Sequence, residues 1–143
     1  MNIYLTSDDL TVDEFFRLRC SVNLNKLPEE QVRKAISNSI YTVCARIEGK
    51  AVGMGRLVGD GAYVYYLQNI NVDPQYQGMG VGRLIIDNII EFINKNKIEG
   101  SSVMVLLMSS KGKEEFYEKF GFTVCSEEFL EEGIPHVMMK KTI

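Results

Sequence analysis

The hydrophobic and polar positions change period several times along the chain, and each change marks an element. Ile3 and Leu5 alternate with Tyr4 and Thr6, which predicts a first strand over residues 2–6. Thr11 and Glu14 then have capping-box spacing, so a helix should start there and run to about Val22, with Phe15, Leu18 and Val22 on one face. Pro28 at a first-turn position, followed by Glu29 and Glu30, opens a second helix to about Ser39. Residues 41–47 and 51–58 read as a hairpin around Glu48-Gly49-Lys50, and residues 62–72 as a third strand after Gly59-Asp60-Gly61. Pro74 cannot donate to a sheet ladder, so that strand ends by Asp73.

A glycine-rich loop follows, and then a helix of about residues 80–95. Its apolar stripe is Ile85, Ile89, Phe92 and Ile93, widened by Ile86 and Ile90, and it should lie on a sheet. Residues 103–108 are continuously apolar, as in a strand covered on both faces. Residues 112–120 form a short helix closed by Gly121, and residues 122–129 and 135–141 a final strand pair. The order β α α β β β α β α β β predicts a mixed α/β (α+β) fold, one central sheet of about six to seven strands with helices on both faces. At 143 residues, the whole span 1–143 reads as one domain.

Composition narrows the function. The chain is 45% hydrophobic and carries a net charge of −3, which argues for a packed core and against a general nucleic-acid binder. The N-terminus has neither a basic start nor an apolar run, and the longest apolar run, residues 103–108, is far too short to span a bilayer. A cytoplasmic protein with no membrane partner is the expectation. Cys20, Cys44 and Cys125 are odd in number and widely spaced, which points to buried thiols rather than a disulfide framework or a metal site.

The candidate chemistry lies in Gln77-Gly78-Met79-Gly80-Val81-Gly82-Arg83. Glycines free the backbone there, and the unpaired N–H groups of the following helix start suit a phosphate. A Walker loop needs G-x-x-x-x-G-K-(S/T), which the chain lacks. A dinucleotide fingerprint fails because Arg83 or Ile85 occupies its third glycine position. A nucleotide-binding structural protein would nonetheless bind ATP or NAD.

Gln77, Gly80 and Gly82 match the pattern (R/Q)-x-x-G-x-(G/A), and Phe116-Tyr117 with Gly121-Phe122 match F-Y-x-x-x-G-F. Together, in this order and topology, they resemble the two hallmarks of the GNAT superfamily of N-acetyltransferases, over essentially the whole chain. Strings such as Arg56-Leu57-Val58-Gly59-Asp60-Gly61 and Lys111-Gly112-Lys113-Glu114 are similar to those of small bacterial members. The resemblance implies acetyl-CoA as co-substrate, with no metal. It implies that the strand before the loop splays from its neighbour, and that Ile70, Asn71 and Val72 hold the pantetheine arm. Gln77, Gly78, Met79, Gly80, Val81, Gly82 and Arg83 would hold the pyrophosphate, and a β-bulge would aim a backbone N–H at the thioester oxygen.

Tyr117 resembles the family's general acid for the departing thiolate. Where many members carry an asparagine, this chain has Ser110, a partial substitute. Neither central strand carries a carboxylate, so ordered water is the expected base. Gln68, Asn69 and His136 are substrate-side candidates, and Phe16, Arg17 and Tyr41 candidates for the acceptor pocket. Glu127, Glu128, Glu131 and Glu132 would attract cationic amines if near it. The resemblance thus implies acetyl transfer to a primary amine, of a small molecule or of a protein N-terminus or lysine. A non-catalytic acyl-CoA-binding sensor module is the alternative. Relatives pair through sheet edges or terminal strands, so a homodimer is expected.

Overall fold

A computed structural model describes residues 2–21 and 27–143. The expected position of Val22 on the first helix face lies outside the described residues. The elements are β1 (Tyr4–Ser7), α1 (Val12–Ser21), α2 (Glu29–Ser37), β2 (Tyr41–Ile47), β3 (Lys50–Gly59), β4 (Val64–Val72), α3 (Val81–Asn96), β5 (Met104–Ser110), α4 (Glu114–Glu118), β6 (Thr123–Val124), β7 (Phe129–Glu131) and β8 (Ile134–Thr142). They form one eight-stranded sheet in the order β1-β2-β3-β4-β5-β8-β6, with β7 also on β8. Every pairing is antiparallel except β4 with β5.

The two helical layers follow from strand alternation. Val43, Ala45, Leu57, Tyr65, Leu67, Val105 and Leu107 face α3 and bury its stripe Ile85, Ile86, Ile89 and Ile93. Cys44, Ala51 and Met54 face the other way and pack Leu10, Phe15, Leu18 and Val32 of the α1–α2 side. Gly53 and Gly55 let α3 settle on β3, since a Cβ on Gly55 would lie 2.7 Å from Ile85 Cγ2.

Local chemistry sets the ends. Thr11 and Glu14 form a reciprocal capping box: Glu14 N–H donates to Thr11 Oγ1 at 3.1 Å, and Thr11 N–H to Glu14 Oε1 at 3.0 Å. Pro28 is the N-cap of α2 rather than its first-turn residue. The sheet has one strand more than the upper expectation because residues 122–129 do not make one strand. Ser126 Oγ accepts the Met138 N–H at 2.8 Å, so a side chain replaces backbone in the ladder and separates β6 from β7. Of the cysteines only Cys44 is buried; Cys20 and Cys125 are exposed, which corrects the expectation for those two.

Arg46 ties α1 to the sheet. It donates to Glu14 Oε2 at 2.6 Å, Asp9 Oδ1 at 3.2 Å, Thr6 Oγ1 at 2.9 Å and the Gly49 carbonyl at 3.1 Å. Burial alone would raise the Glu14 carboxyl, but the bonds from Arg46 and Thr11 outweigh it and hold the group below its ordinary value of 4.5. A carboxyl depressed on folding stabilises the fold above its unfolded pKa, and that contribution is lost as pH falls through the folded value. Denaturant unfolding of the wild type should therefore show stability falling below about pH 4.5. Glu14→Gln should be weaker at pH 7 and show a shallower acid limb; an unchanged acid limb would remove Glu14 as its source.

Candidate active site

β4 and β5 pair only from Val64–Met104 to Tyr66–Leu106. Beyond that point the strands separate, β4 running on to Val72 and β5 staying on β8 as far as Ser110–His136. The cause lies on the other side of β4. Met54 pairs with Asn71 and Arg56 with Gln68, so Asn69 and Ile70 together oppose Gly55. This bulge places Asn69 in the left-handed region at φ 56°, which asparagine tolerates better than most residues, and it bends the strand. The separation opens a cleft of about 1080 Å³.

One end of the cleft is an anion cradle. Asp73 caps a 3₁₀ turn at Pro74–Tyr76 by accepting from Gln75 N–H at 3.0 Å, and Gln77 Nε2 donates back to the Val72 carbonyl at 3.2 Å. Gly78 and Gly80 have φ of 79° and 82°, and nothing lies within 4 Å of where their Cβ atoms would be. Their glycines are thus required by backbone conformation, and the space beside them is open. Gly80 caps α3 without any side chain, and no acidic residue occupies the first turn. The first-turn amides meet the cleft with the positive end of the helix dipole behind them. Gly82 serves packing, since a Cβ there would lie 3.2 Å from Phe116 Cζ.

Gln77, Gly78, Gly80, Val81, Gly82 and Arg83 all line the cleft; Met79 does not. Ile70, Asn71 and Val72 line it along the free edge of β4. Asn71 Oδ1 is buried without a hydrogen-bond partner among the described residues, an acceptor left for a ligand N–H.

Tyr117 projects from α4, whose end has Schellman geometry. Phe122 N–H donates to the Tyr117 carbonyl at 3.4 Å and Gly121 N–H to the Glu118 carbonyl at 3.0 Å, with Gly121 at φ 90°. The ring is wedged edge-on against Phe116 at 5.1 Å and Phe122 at 6.4 Å. These contacts explain the spacing of the aromatic motif: glycine ends the helix, and the flanking rings fix the tyrosine. Tyr117 lines the cleft and its hydroxyl has no partner among the described residues. Burial pushes the phenol up to about 12, so it stays a donor.

Ser110 lines the cleft at the end of β5, opposite His136 on β8, which also lines it. His136 Nδ1 lies 2.7 Å from the Ile134 carbonyl. A carbonyl only accepts, so Nδ1 carries the hydrogen and, in the neutral ring, Nε2 is left as the acceptor. Gln68 and Asn69 line the cleft at and beside the bulge. Phe16, Arg17 and Tyr41 do not. Phe16 packs in the α1–α2 core, Arg17 donates to the Ala51 carbonyl at 2.7 Å, and Tyr41 stacks on Phe92 beneath α3. The neighbouring positions Phe15 and Arg19 are the ones that reach the cleft from α1. The expectation found the helix and missed its rotation.

Arg19 meets Glu132 at 3.2 Å, an ion pair from α1 to the β7–β8 turn, and Glu131 also lines the cleft. The acidic run therefore divides: Glu131 and Glu132 belong to the cleft, and Glu128 pairs with Lys111 outside it. Arg56 lines the cleft too; its place in a strand that reads as core gave no sign of this. Among the described residues no group of side chains could hold a metal ion, and no helix is long and apolar enough to cross a membrane.

Comparison with known proteins gives the family and the fold. The model of the acetyltransferase (GNAT) domain matches residues 11–143. The uncharacterized YyaT protein of Bacillus subtilis is 28% identical over 100% of this chain and 97% of its own. Glucosamine 6-phosphate N-acetyltransferase of Trypanosoma brucei brucei is 30% identical over 71% of this chain and 69% of its own. A solved structure from meticillin-resistant Staphylococcus aureus, described as a probable acetyltransferase, superposes with a TM-score of 0.80 at 28% identity, covering 91% of this chain and 99% of that one.

Proposed function

Given that the chain belongs to the GNAT acetyltransferase family, we propose that it is an acetyl-CoA-dependent N-acetyltransferase acting on the primary amine of a small molecule by direct transfer. The observation that carries this reading is the coincidence, in one cleft, of an uncapped helix start, a free strand edge and a partnerless tyrosine hydroxyl. Acetyl-CoA fits that set: pyrophosphate oxygens on the first-turn amides of α3, pantetheine amides along Ile70–Val72 with Asn71 Oδ1 accepting one N–H, and the acetyl thioester at the bulge. The co-substrate supplies an activated acyl group.

The protein's part is positioning and charge. The bulged backbone presents an N–H to the carbonyl oxygen as the amine attacks, and Tyr117 donates to the sulfur as negative charge builds there. Removal of the ammonium proton falls to ordered water or to His136 Nε2, since no carboxylate stands on the central strands. The Arg19–Glu132 pair spans the acceptor end from α1 to the β7–β8 turn, which favours a small amine over an extended peptide.

The test is release of free thiol from acetyl-CoA across a panel of small amines, beside peptides with free N-termini and lysines. Turnover of small amines is expected. Turnover of peptides alone would move the acceptor to protein, and tight acetyl-CoA binding without turnover on any amine would make the chain a sensor module.

A further inference from the structure

The acceptor end contains a charge that the cleft does not neutralise. Six arginines occur in the sequence. Arg17, Arg19, Arg33, Arg46 and Arg83 each lie within 4.0 Å of a carboxylate. Arg56 has no carboxylate partner among the described residues. Its Nε donates to Asn69 Oδ1 at 3.0 Å, and Nη1 to Ser39 Oγ at 3.4 Å, both neutral acceptors. A guanidinium has five N–H donors, so the remaining ones on Nη1 and Nη2 have no partner among the described residues. The side chain is substantially desolvated, which pushes its pKa below the ordinary value, though a guanidinium remains a cation. A desolvated cation without a counterion is costly unless an anion arrives to meet it.

Its location says which ligand brings that anion. Asn69 is the first residue of the bulge, so the guanidinium is anchored directly beside the strand edge assigned to the thioester. Gln68 is its cross-strand neighbour, and both line the cleft. The pyrophosphate cradle, residues 77–83, lies past the far end of β4, so Arg56 is not part of it. Glu131, at the end of β7, also lines the cleft and supplies negative charge there, while Glu132 is already met by Arg19. Such a pocket has a seat for an oxyanion and a separate attraction for an ammonium.

We infer that the acceptor amine also carries an oxyanion, a carboxylate or a phosphate, which Arg56 binds through its free N–H fork while Asn69 and Ser39 hold the guanidinium in place. This rests on the N-acetyltransferase reading and specifies its substrate class. A planar fork matches the paired oxygens of either anion.

The experiment measures kcat/KM with acetyl-CoA on matched pairs: amino acids against their amides, and amino alcohols and amino sugars against their phosphate monoesters. The anionic member of at least one pair should be preferred by about 10- to 100-fold, the scale of hydrogen bonds to a charged group. Which kind of pair shows the preference separates carboxylate from phosphate. Arg56→Gln should erase most of that preference, by raising KM for the anionic member far more than for the neutral one, and Arg56→Lys should restore part of it. Acetyl-CoA affinity of each variant reports separately on the fold. Equal turnover of both members of every pair by the wild type overturns this inference and leaves the enzymatic reading standing. Acetyl-CoA binding with no turnover on any amine overturns both.

Discussion

Tyr117→Phe should lower kcat by about 10²- to 10⁴-fold while leaving the acetyl-CoA dissociation constant within about threefold of wild type. Only the hydroxyl is lost. The ring keeps its edge-on contacts with Phe116 and Phe122, and the Schellman turn through Gly121 does not involve the side chain. In the proposed role the effect is large because the donor acts on charge that exists only as the thiolate departs. The pH profile supplies an independent check. Burial pushes this phenol from the ordinary 10.0 to about 12, so its protonated form persists through the range in which amines lose their protons. Wild-type kcat should rise with pH as the bound amine deprotonates and hold level to at least about pH 11. A fall centred near 10 that disappears in Tyr117→Phe would mean a solvated hydroxyl. Full activity in Tyr117→Phe would end its role as acid.

Periodicity revealed the parts of this site that repeat, and sequence patterns revealed the parts with fixed spacing. The stripe of α3, the Thr11–Glu14 box, β2 and the end of β4 before Pro74 all lie where expected. The glycine loop and the Tyr117 motif were legible because backbone geometry demands those residues: positive φ at Gly78, Gly80 and Gly121, and close packing at Gly82. What escaped depends on long-range register. Whether Phe16 or Phe15 faces the cleft is a matter of one helical step, about 100° of rotation. The Arg56–Asn69 bond joins two strands through a bulge, and a bulge shifts which side of the sheet each later residue faces. The split between β6 and β7 comes from one serine hydroxyl entering the ladder.

The other large effect belongs to Gly59, and it is an effect on folding. Gly59 ends β3 at φ 149°, paired with Tyr65, and a Cβ there would lie 2.2 Å from the Val64 carbonyl oxygen and 2.9 Å from Tyr65 Cα. Those atoms are backbone, so no rotamer change can make room. Nor can Val64 retreat easily, because Asp60 N–H donates to its carbonyl at 3.2 Å and its own N–H donates to Asp60 Oδ1 at 3.1 Å. The same carboxylate accepts from Ala62 and Tyr63 at 2.8 and 2.7 Å, and those backbone bonds hold the Asp60 carboxyl below its ordinary range. Gly59→Ala should therefore destabilise by about 2–4 kcal/mol, combining positive-φ backbone strain with overpacking, a drop in Tm of roughly 10 °C for a chain of this size. Gly61 is the internal control. It has φ 79° but open space, its nearest neighbour Ile40 Cδ1 lying 4.0 Å from a would-be Cβ. Gly61→Ala should cost only about 1 kcal/mol, the conformational part alone. Thermal unfolding of the two variants side by side separates clash from strain, and equal losses would show that the turn remodels. The site inherits the larger loss, since β4 leaves this turn paired to both neighbours and arrives, five residues past Val64, at the bulge that opens the cleft. At temperatures where Gly59→Ala remains folded, acetyl-CoA affinity should fall alongside stability, whereas Gly61→Ala should bind as wild type does.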